Sequence, residues 1–283
     1  MSRVRSRLAV LGVVGLAGLC AVAGFLLFDA LVVEPNWITV RRVRIENPDL
    51  AAALEGVRVA QISDLHLRGS LGFRERSLIA RLNRLRPDLI LITGDLVEGP
   101  GQGRLAVEFI RQLKPGLWSY GVLGNADRNA FSVSQRNALR RAGLEMIGER
   151  ALRMQPGAAP AEFYLAGIDF PGYGQPVPAD RIREIVSGVP PGKPIIFLAY
   201  SPDAAEALAD EGVDLVLSGD SHGGQVGLPG WGSLFEEFGR SRFVRGLYRL
   251  KNTVLYVNRG IATKTVPIRF LCPPEITLFE FTR

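Results

Sequence analysis

The chain is predicted to be an α/β protein behind an N-terminal membrane span, and three observations carry that prediction. Leu8 to Phe28 is a run of 21 residues without a charge. From Val57 onward, short β-branched runs alternate with stretches at helical spacing, as in α/β architectures. Just after four of the apolar runs stand acids, an asparagine and both histidines of the chain.

Taken in order, Leu8–Phe28 is long enough as a helix to cross a hydrocarbon core of about 30 Å. The run exceeds the roughly 7–15 apolar residues of a signal peptide, so an uncleaved single-pass anchor over residues 1–35 is expected. Arg3, Arg5 and Arg7 precede it, which favours a cytoplasmic N-terminus and a body on the outer side of the cell membrane. Arg41, Arg42 and Arg44 reduce that bias. Residues 36–54 read as a linker and first strand region, and 55–283 as one domain. About 250 residues suffice for one substantial core. Candidate strands are 57–62, 89–93, 119–123, 163–168, 195–199, 214–218, 253–258 and 276–281. Candidate helices are 74–85, 103–113, 132–142, 179–187 and 202–211, the first showing Leu78, Leu82 and Leu85 at helical spacing. Residues 223–247, rich in glycine and aromatics, read as an irregular loop.

Composition narrows the partners. The net charge of +6 comes almost wholly from scattered arginines, with lysine only at 114, 193, 251 and 264. No basic patch interleaved with aromatics appears, so nucleic acid is not expected. A basic surface facing anionic lipid or phosphate is. Cys20 lies in the apolar segment and Cys272 far along the chain, which is no disulfide framework.

The strand ends carry the chemistry. The first candidate strand runs into Ser63-Asp64-Leu65-His66, and strand period two would set Asp64 and His66 on one face. The next ends are Thr93-Gly94-Asp95, Leu123-Gly124-Asn125-Ala126-Asp127 and Ser218-Gly219-Asp220-Ser221-His222-Gly223-Gly224-Gln225. One Gly-Asp after a strand is ordinarily a turn. Four such ends, holding both histidines beside acids, point to a metal site at the carboxyl edge of a sheet. Gly219-Asp220-Ser221-His222-Gly223 also spells the G-x-S-x-G elbow of serine hydrolases. That motif requires a following helix and a later histidine. The next residues are glycine-rich and His222 is the last histidine, so this reading is rejected.

These motifs resemble the calcineurin-like metallophosphoesterases, in the branch with an N-terminal membrane segment. The family pattern D-x-H, G-D, G-N-H, a lone H and G-H-x-H falls here on Asp64-Leu65-His66, Gly94-Asp95, Gly124-Asn125-Ala126, Tyr200 and Gly219-Asp220-Ser221-His222. Gly223-Gly224-Gln225, Arg259-Gly260-Ile261 and Pro267-Ile268-Arg269-Phe270-Leu271-Cys272-Pro273-Pro274-Glu275-Ile276 match the branch's ending. The resemblance implies a four-layer α/β/β/α sandwich with metal at the C-terminal strand ends. It implies a first metal on Asp64, His66, Asp95 and His222, a transition ion such as Mn, Fe or Zn. Asp95 and Asn125 would stand at the reacting centre, and Asn125 and Arg259 against substrate. Phosphodiester or pyrophosphate substrates are implied, including lipid-linked ones, since the branch includes hydrolases of UDP-diacylglucosamine in lipid A synthesis.

The departures fall on the second metal. Its positions hold Asp95, Asn125, Tyr200 and Asp220, so both histidine ligands are gone. The histidine that would assist at the phosphate is Ala126, which can neither donate a hydrogen bond nor move a proton. Asp127 is the next residue and is expected to point away. Asp220 with Asp95 and Asn125 makes an oxygen-only set suited to weakly held Mg or Mn. Two functional expectations follow: a phosphoesterase with a partly degenerate site, or a pseudophosphoesterase that keeps one metal for stability or ligand binding.

Overall fold

The computed structural model describes residues 2–156, 161–172, 177–228, 232–233, 241–264 and 266–283. Helix α1 (Ser2–Phe28) leads into a π-turn and a 3-10 turn ending at Asn36. Then come β1 (Thr39–Glu46), α2 (Pro48–Ala53), β2 (Val59–Ile62), α3 (Phe73–Leu85), β3 (Leu89–Thr93), α4 (Gly103–Gln112) and β4 (Trp118–Val122). Next are α5 (Val133–Ala142), β5 (Leu144–Met146), β6 (Arg150–Met154), β7 (Phe163–Ile168), α6 (Ala179–Ser187), β8 (Ile195–Ala199), α7 (Ala204–Leu208) and β9 (Leu215–Ser218). The chain ends with β10 (Gly227–Leu228), β11 (Gly232–Ser233), β12 (Gly246–Leu250), β13 (Thr253–Val257) and β14 (Glu275–Thr282).

Two six-stranded sheets result, in the orders β1-β14-β2-β3-β4-β5 and β12-β13-β9-β8-β7-β6. In the first, β2, β3, β4 and β5 run parallel; in the second, β7, β8, β9 and β13 do. Parallel strands are covered on both faces and so read as continuous apolar runs. Each face has its own partner. Ile62, Ile90 and Ile92 pack outward on Leu78 and Leu82 of α3, Phe109 of α4 and Leu139 of α5. Val59, Leu89, Leu91 and Val122 face Phe163, Leu165, Ile196 and Leu198 of the other sheet. Phe197, Val216 and Leu255 pack outward on Ile182 and Ile185 of α6 and Leu208 of α7. The order is therefore helix, sheet, sheet, helix, the four-layer arrangement expected.

All eight candidate strands form, and the five candidate helices form with the last shortened to Ala204–Leu208. The periphery was less legible. Strand β1 pairs with β14 through its full length, so the segment expected to be linker and first strand is built into the first sheet. Only Val43 and Ile45 of β1 are buried, and its arginines face out, the pattern of an edge strand. Asn47 caps α2 by accepting from the backbone N–H of Leu50. Of the segment read as an irregular loop, 229–231 and 234–240 lie outside the described residues. Its described parts include a 3-10 turn at His222–Gly224, the β10–β11 pair and the start of β12.

Helix α1 is exposed from Leu11 onward, and Leu11–Asn36 is long and apolar enough to cross a membrane. Its exit is bolted to the body. The buried Glu34 carboxylate accepts the backbone N–H groups of Leu271 (2.8 Å) and Cys272, and Ala30 O accepts from Arg269 N at 2.9 Å. Glu34→Ala would strand two N–H groups in a largely dry interior, at about 1–3 kcal/mol. Thermal unfolding of the full chain in detergent should show a lower Tm, with Glu34→Gln intermediate because its amide oxygen can still accept.

Candidate metal centre

The site is assembled by backbone that leaves the strands in an unusual conformation. Strand β2 stops at Ile62, and Asp64 and His66 follow with φ of 52° and 45°. Asp95, Asp220 and His222 also have positive φ, at 48°, 69° and 50°. Left-handed backbone is uncommon outside glycine and clusters at functional sites. Strand period two is therefore not what joins Asp64 to His66: both lie beyond the strand. They are held by a continued ladder in which Asp64 N donates to Gly94 O and His66 N to Asp95 O. The second sheet is laced in through Ile261 N to Ser63 O and Ala262 N to Asp64 O. The approach is so close that a Cβ on Gly219 would sit 1.9 Å from Ser63 Oγ.

Four donors converge. His66 Nε2 lies 3.3 Å from His222 Nε2 and 3.4 Å from Asp95 Oδ2, and His222 Nε2 lies 3.5 Å from Asp64 Oδ1. The tautomers follow from the far sides of the rings. His66 Nδ1 donates to Glu98 Oε2 at 2.6 Å, and His222 Nδ1 to the carbonyl of Ala262 at 3.0 Å. In the neutral rings these bonds leave both Nε2 atoms unprotonated, 3.3 Å apart. That geometry calls for a cation between them. Spacings of 3.3–3.5 Å also suit ligands around one ion, since bonds of ~2.1 Å at tetrahedral angles separate donors by roughly 3.4 Å. Asp64, His66 and His222 form a compact candidate metal-binding group, and their donor set fits a transition ion.

Electrostatics agree. Burial, then the charge of Asp95, pushes the Asp64 carboxyl up to about 7. Burial likewise raises Asp95, in spite of His66 and the N–H of Ala126. Burial alone would depress His66, but Glu98 and the charges of Asp95 and Asp64 outweigh it and raise its affinity for a proton. His222 is driven well down by burial and by the charges of His66 and Arg269, which keeps it a neutral donor. Two crowded carboxylates that resist ionisation are a site waiting for positive charge.

The other half of the constellation is arranged differently. Tyr200 is buried and its hydroxyl donates to Asp95 Oδ2 at 2.9 Å. Burial raises that phenol well above its ordinary value, so it stays protonated. Asp220 N lies 3.2 Å from both Asp64 oxygens, while Lys264 Nζ stands 3.4 Å from Asp220 Oδ1. A second ion at Asp95, Asn125, Tyr200 and Asp220 would meet a hydroxyl donor and an ammonium, and the set does not fit it. Asp127 points away from the site, accepting the N–H groups of Leu96, Val97 and Gly124.

Beside the donors opens a cleft of about 750 Å³ lined by His66, Arg68, Arg74, Glu98, Asn125, Ala126 and Lys264 among others. Arg259 does not line it. Its Nε lies 3.3 Å from the buried Glu275 carboxylate. Glu98 and Lys264 went unread in the sequence as site residues, and Arg269 was read only as part of the matching tail. Lys264 carried no signal beyond being one of four lysines, in the gap between the two matching stretches of the tail. Arg269 is fully buried and donates to carbonyls of Arg259, Gly260, Ala262 and Cys272.

Known proteins with related sequences agree with this geometry. An uncharacterised metallophosphoesterase of Bacillus subtilis, YkuE, is 28% identical over 254 residues, covering 88% of this chain and 87% of its own. Phosphodiesterase YaeI of Escherichia coli is 28% identical over 257 residues, 87% of this chain and 89% of its own. UDP-2,3-diacylglucosamine pyrophosphatase LpxG of Chlamydia trachomatis is 27% identical over 302 residues, 87% of this chain and 90% of its own. The family model for calcineurin-like phosphoesterases matches residues 57–224, from the strand ahead of Asp64 to just past His222. With its layered sheets and its converging donors inside that match, the chain belongs to the calcineurin-like phosphoesterase family.

Proposed function

We propose that this chain is a membrane-anchored phosphoesterase working with one firmly held transition metal ion, Mn, Fe or Zn, on Asp64, His66, Asp95 and His222. The carrying observation is the pair of unprotonated Nε2 atoms 3.3 Å apart among buried carboxylates, beside a basic cleft. A bound divalent ion supplies Lewis acidity toward a phosphoryl oxygen and toward water. The chain's own groups do the rest. Arg68 and Arg74 draw an anion into the cleft, and Asn125 at its wall can donate to a phosphoryl oxygen. Glu98 holds His66 in the tautomer that presents Nε2. Arg259 serves as a brace on Glu275 instead of as a substrate contact. A weak second Mg or Mn on Asp95, Asn125 and Asp220 is disfavoured by the donors of Tyr200 and Lys264.

The substrate class follows from what is missing. Among the described groups lining the cleft, no imidazole is free to protonate a leaving group, since Ala126 stands where one would and His66 belongs to the metal set; the Lys264 ammonium, whose burial is outweighed by the charges of Asp220, Asp64 and Asp95, holds its proton too firmly to give it up. An alkoxide leaves poorly without a proton, whereas a phosphate leaves as a weak base. The site therefore favours a pyrophosphate bond over an alkyl phosphodiester. The names of LpxG, a UDP-2,3-diacylglucosamine pyrophosphatase, and YaeI, a phosphodiesterase, support this range, and α1 beside the site suits a lipid-linked substrate. The arginines at 3, 5 and 7 favour an extracytoplasmic domain. The pseudophosphoesterase reading draws on the Tyr200–Asp95 contact, which would leave the ion as a structural element.

Elemental analysis should find one metal per chain, lost in His222→Ala, and Glu98→Gln should weaken its binding about 10–100-fold. Two firmly bound ions would overturn the assignment. Metal affinity should fall as pH drops through about 7, where Asp64 takes up a proton that competes with the ion, and be full above pH 8; titrations at pH 6 and 8 measure this. Turnover should be faster on nucleoside diphosphate-linked substrates than on alkyl phosphodiesters. Ala126→His should raise kcat on the diesters by up to roughly 10²-fold, the low end of general-acid contributions. No turnover of either class in the metal-loaded chain would favour the pseudophosphoesterase.

A further inference from the structure

We propose that Lys264 takes the place of the second metal ion: its ammonium, seated on Asp220, is the cation that binds a phosphoryl oxygen opposite the single metal. This rests on the phosphoester reading above. Three observations carry it. Lys264 Nζ lies 3.4 Å from Asp220 Oδ1, at the position where the family pattern supplies a histidine ligand of the second ion. Asp220 is in turn joined to a metal ligand, its N–H lying 3.2 Å from each Asp64 oxygen, so the lysine's anchor is registered against the ion's own ligand. The Lys264 side chain is about a quarter exposed (27%) and lines the same cleft as Asn125 and His66, so its remaining N–H donors are open to a ligand.

The surroundings position the lysine. Gln225, from the Gly-Gly-Gln run, accepts from Lys264 N and donates to Val266 O, pinning the loop on both sides of the side chain. Tyr200 completes the exchange by donating to Asp95 Oδ2, the oxygen that also lies 3.4 Å from His66 Nε2. A carboxylate with an ammonium and a carboxylate with a hydroxyl thus stand where two imidazoles would hold a second cation. The ammonium itself lines the cleft. An ammonium cannot activate water as an ion does, so the division of labour is water at the metal and phosphoryl charge at the lysine.

The test uses the full chain in detergent, loaded with Mn²⁺, and orthophosphate as the probe. Calorimetry should show phosphate binding weakened roughly 10–100-fold in Lys264→Gln and within a few-fold of wild type in Lys264→Arg, as for loss and retention of a charged hydrogen bond. Metal content should remain one per chain in both variants. Paramagnetic resonance should show one uncoupled Mn²⁺ in Tyr200→His/Asp220→His, and a coupled pair only after Lys264→Gln is added. Phosphate affinity within twofold of wild type in Lys264→Gln would overturn the proposal, as would a coupled Mn²⁺ pair in the wild-type chain. If the wild type hydrolyses phosphoesters in either case, the phosphoester reading stands; weak dependence on Lys264 then overturns the lysine assignment alone, and a coupled pair overturns it together with the one-metal assignment. A wild type that neither binds orthophosphate nor turns over would overturn both.

Discussion

The structure depends on one buried cation that is not a metal. Arg269 lies in the interior with no carboxylate in ion-pair contact among the described residues, and its two terminal nitrogens donate to carbonyl oxygens of Arg259, Gly260, Ala262 and Cys272. Its planar fork of N–H donors can collect several acceptors at once, which a lysine could not do in the same geometry. One of those acceptors, Ala262 O, also receives His222 Nδ1–H. The arginine therefore sets the carbonyl that sets the imidazole that offers its lone pair to the ion. Burial lowers the guanidinium's hold on its proton, yet it remains the charge around which the loops after β13 and before β14 close.

The same residue ties the site to the apolar N-terminal segment. Arg269 N donates to Ala30 O, and the neighbouring N–H groups of Leu271 and Cys272 end on Glu34. The exit of α1, the tail motif and His222 are thus one continuous hydrogen-bonded unit. A tether of this kind fixes the distance and the tilt of the cleft relative to the helix axis. A flexible linker would fix neither.

Charge is partitioned within the site. Asp95 has one oxygen 3.4 Å from His66 that is also capped by Tyr200, and the other capped by Ala126 N. Around His66 stand carboxylates and imidazoles that could hold a metal ion, whereas on the far side Tyr200 and Lys264 supply the donors. This asymmetry separates the chain from a symmetric two-metal clamp, and the lost imidazoles and the gained lysine describe it together.

The sequence by itself determined the layered core and the inventory of ligands. Short apolar runs of β-branched residues bounded by turn residues read as buried strands, and the acids and histidines after them needed no coordinates to be counted. It did not determine β1, whose exposed arginines hide a strand that exists only because β14 offers it an edge. Nor did it place Arg259 on Glu275, or Glu98 behind His66, because those pairs are separated by 16 and 32 residues and have no local signature. The motif spelled Asp64-Leu65-His66 suggested strand periodicity, whereas left-handed backbone outside the strand brings the two together. Lys264 shows most clearly where tertiary structure decided. Its meaning lies in standing 3.4 Å from an aspartate 44 residues earlier in the chain, a neighbourhood created by the parallel pairing of β13 with β9, after which the two residues stand.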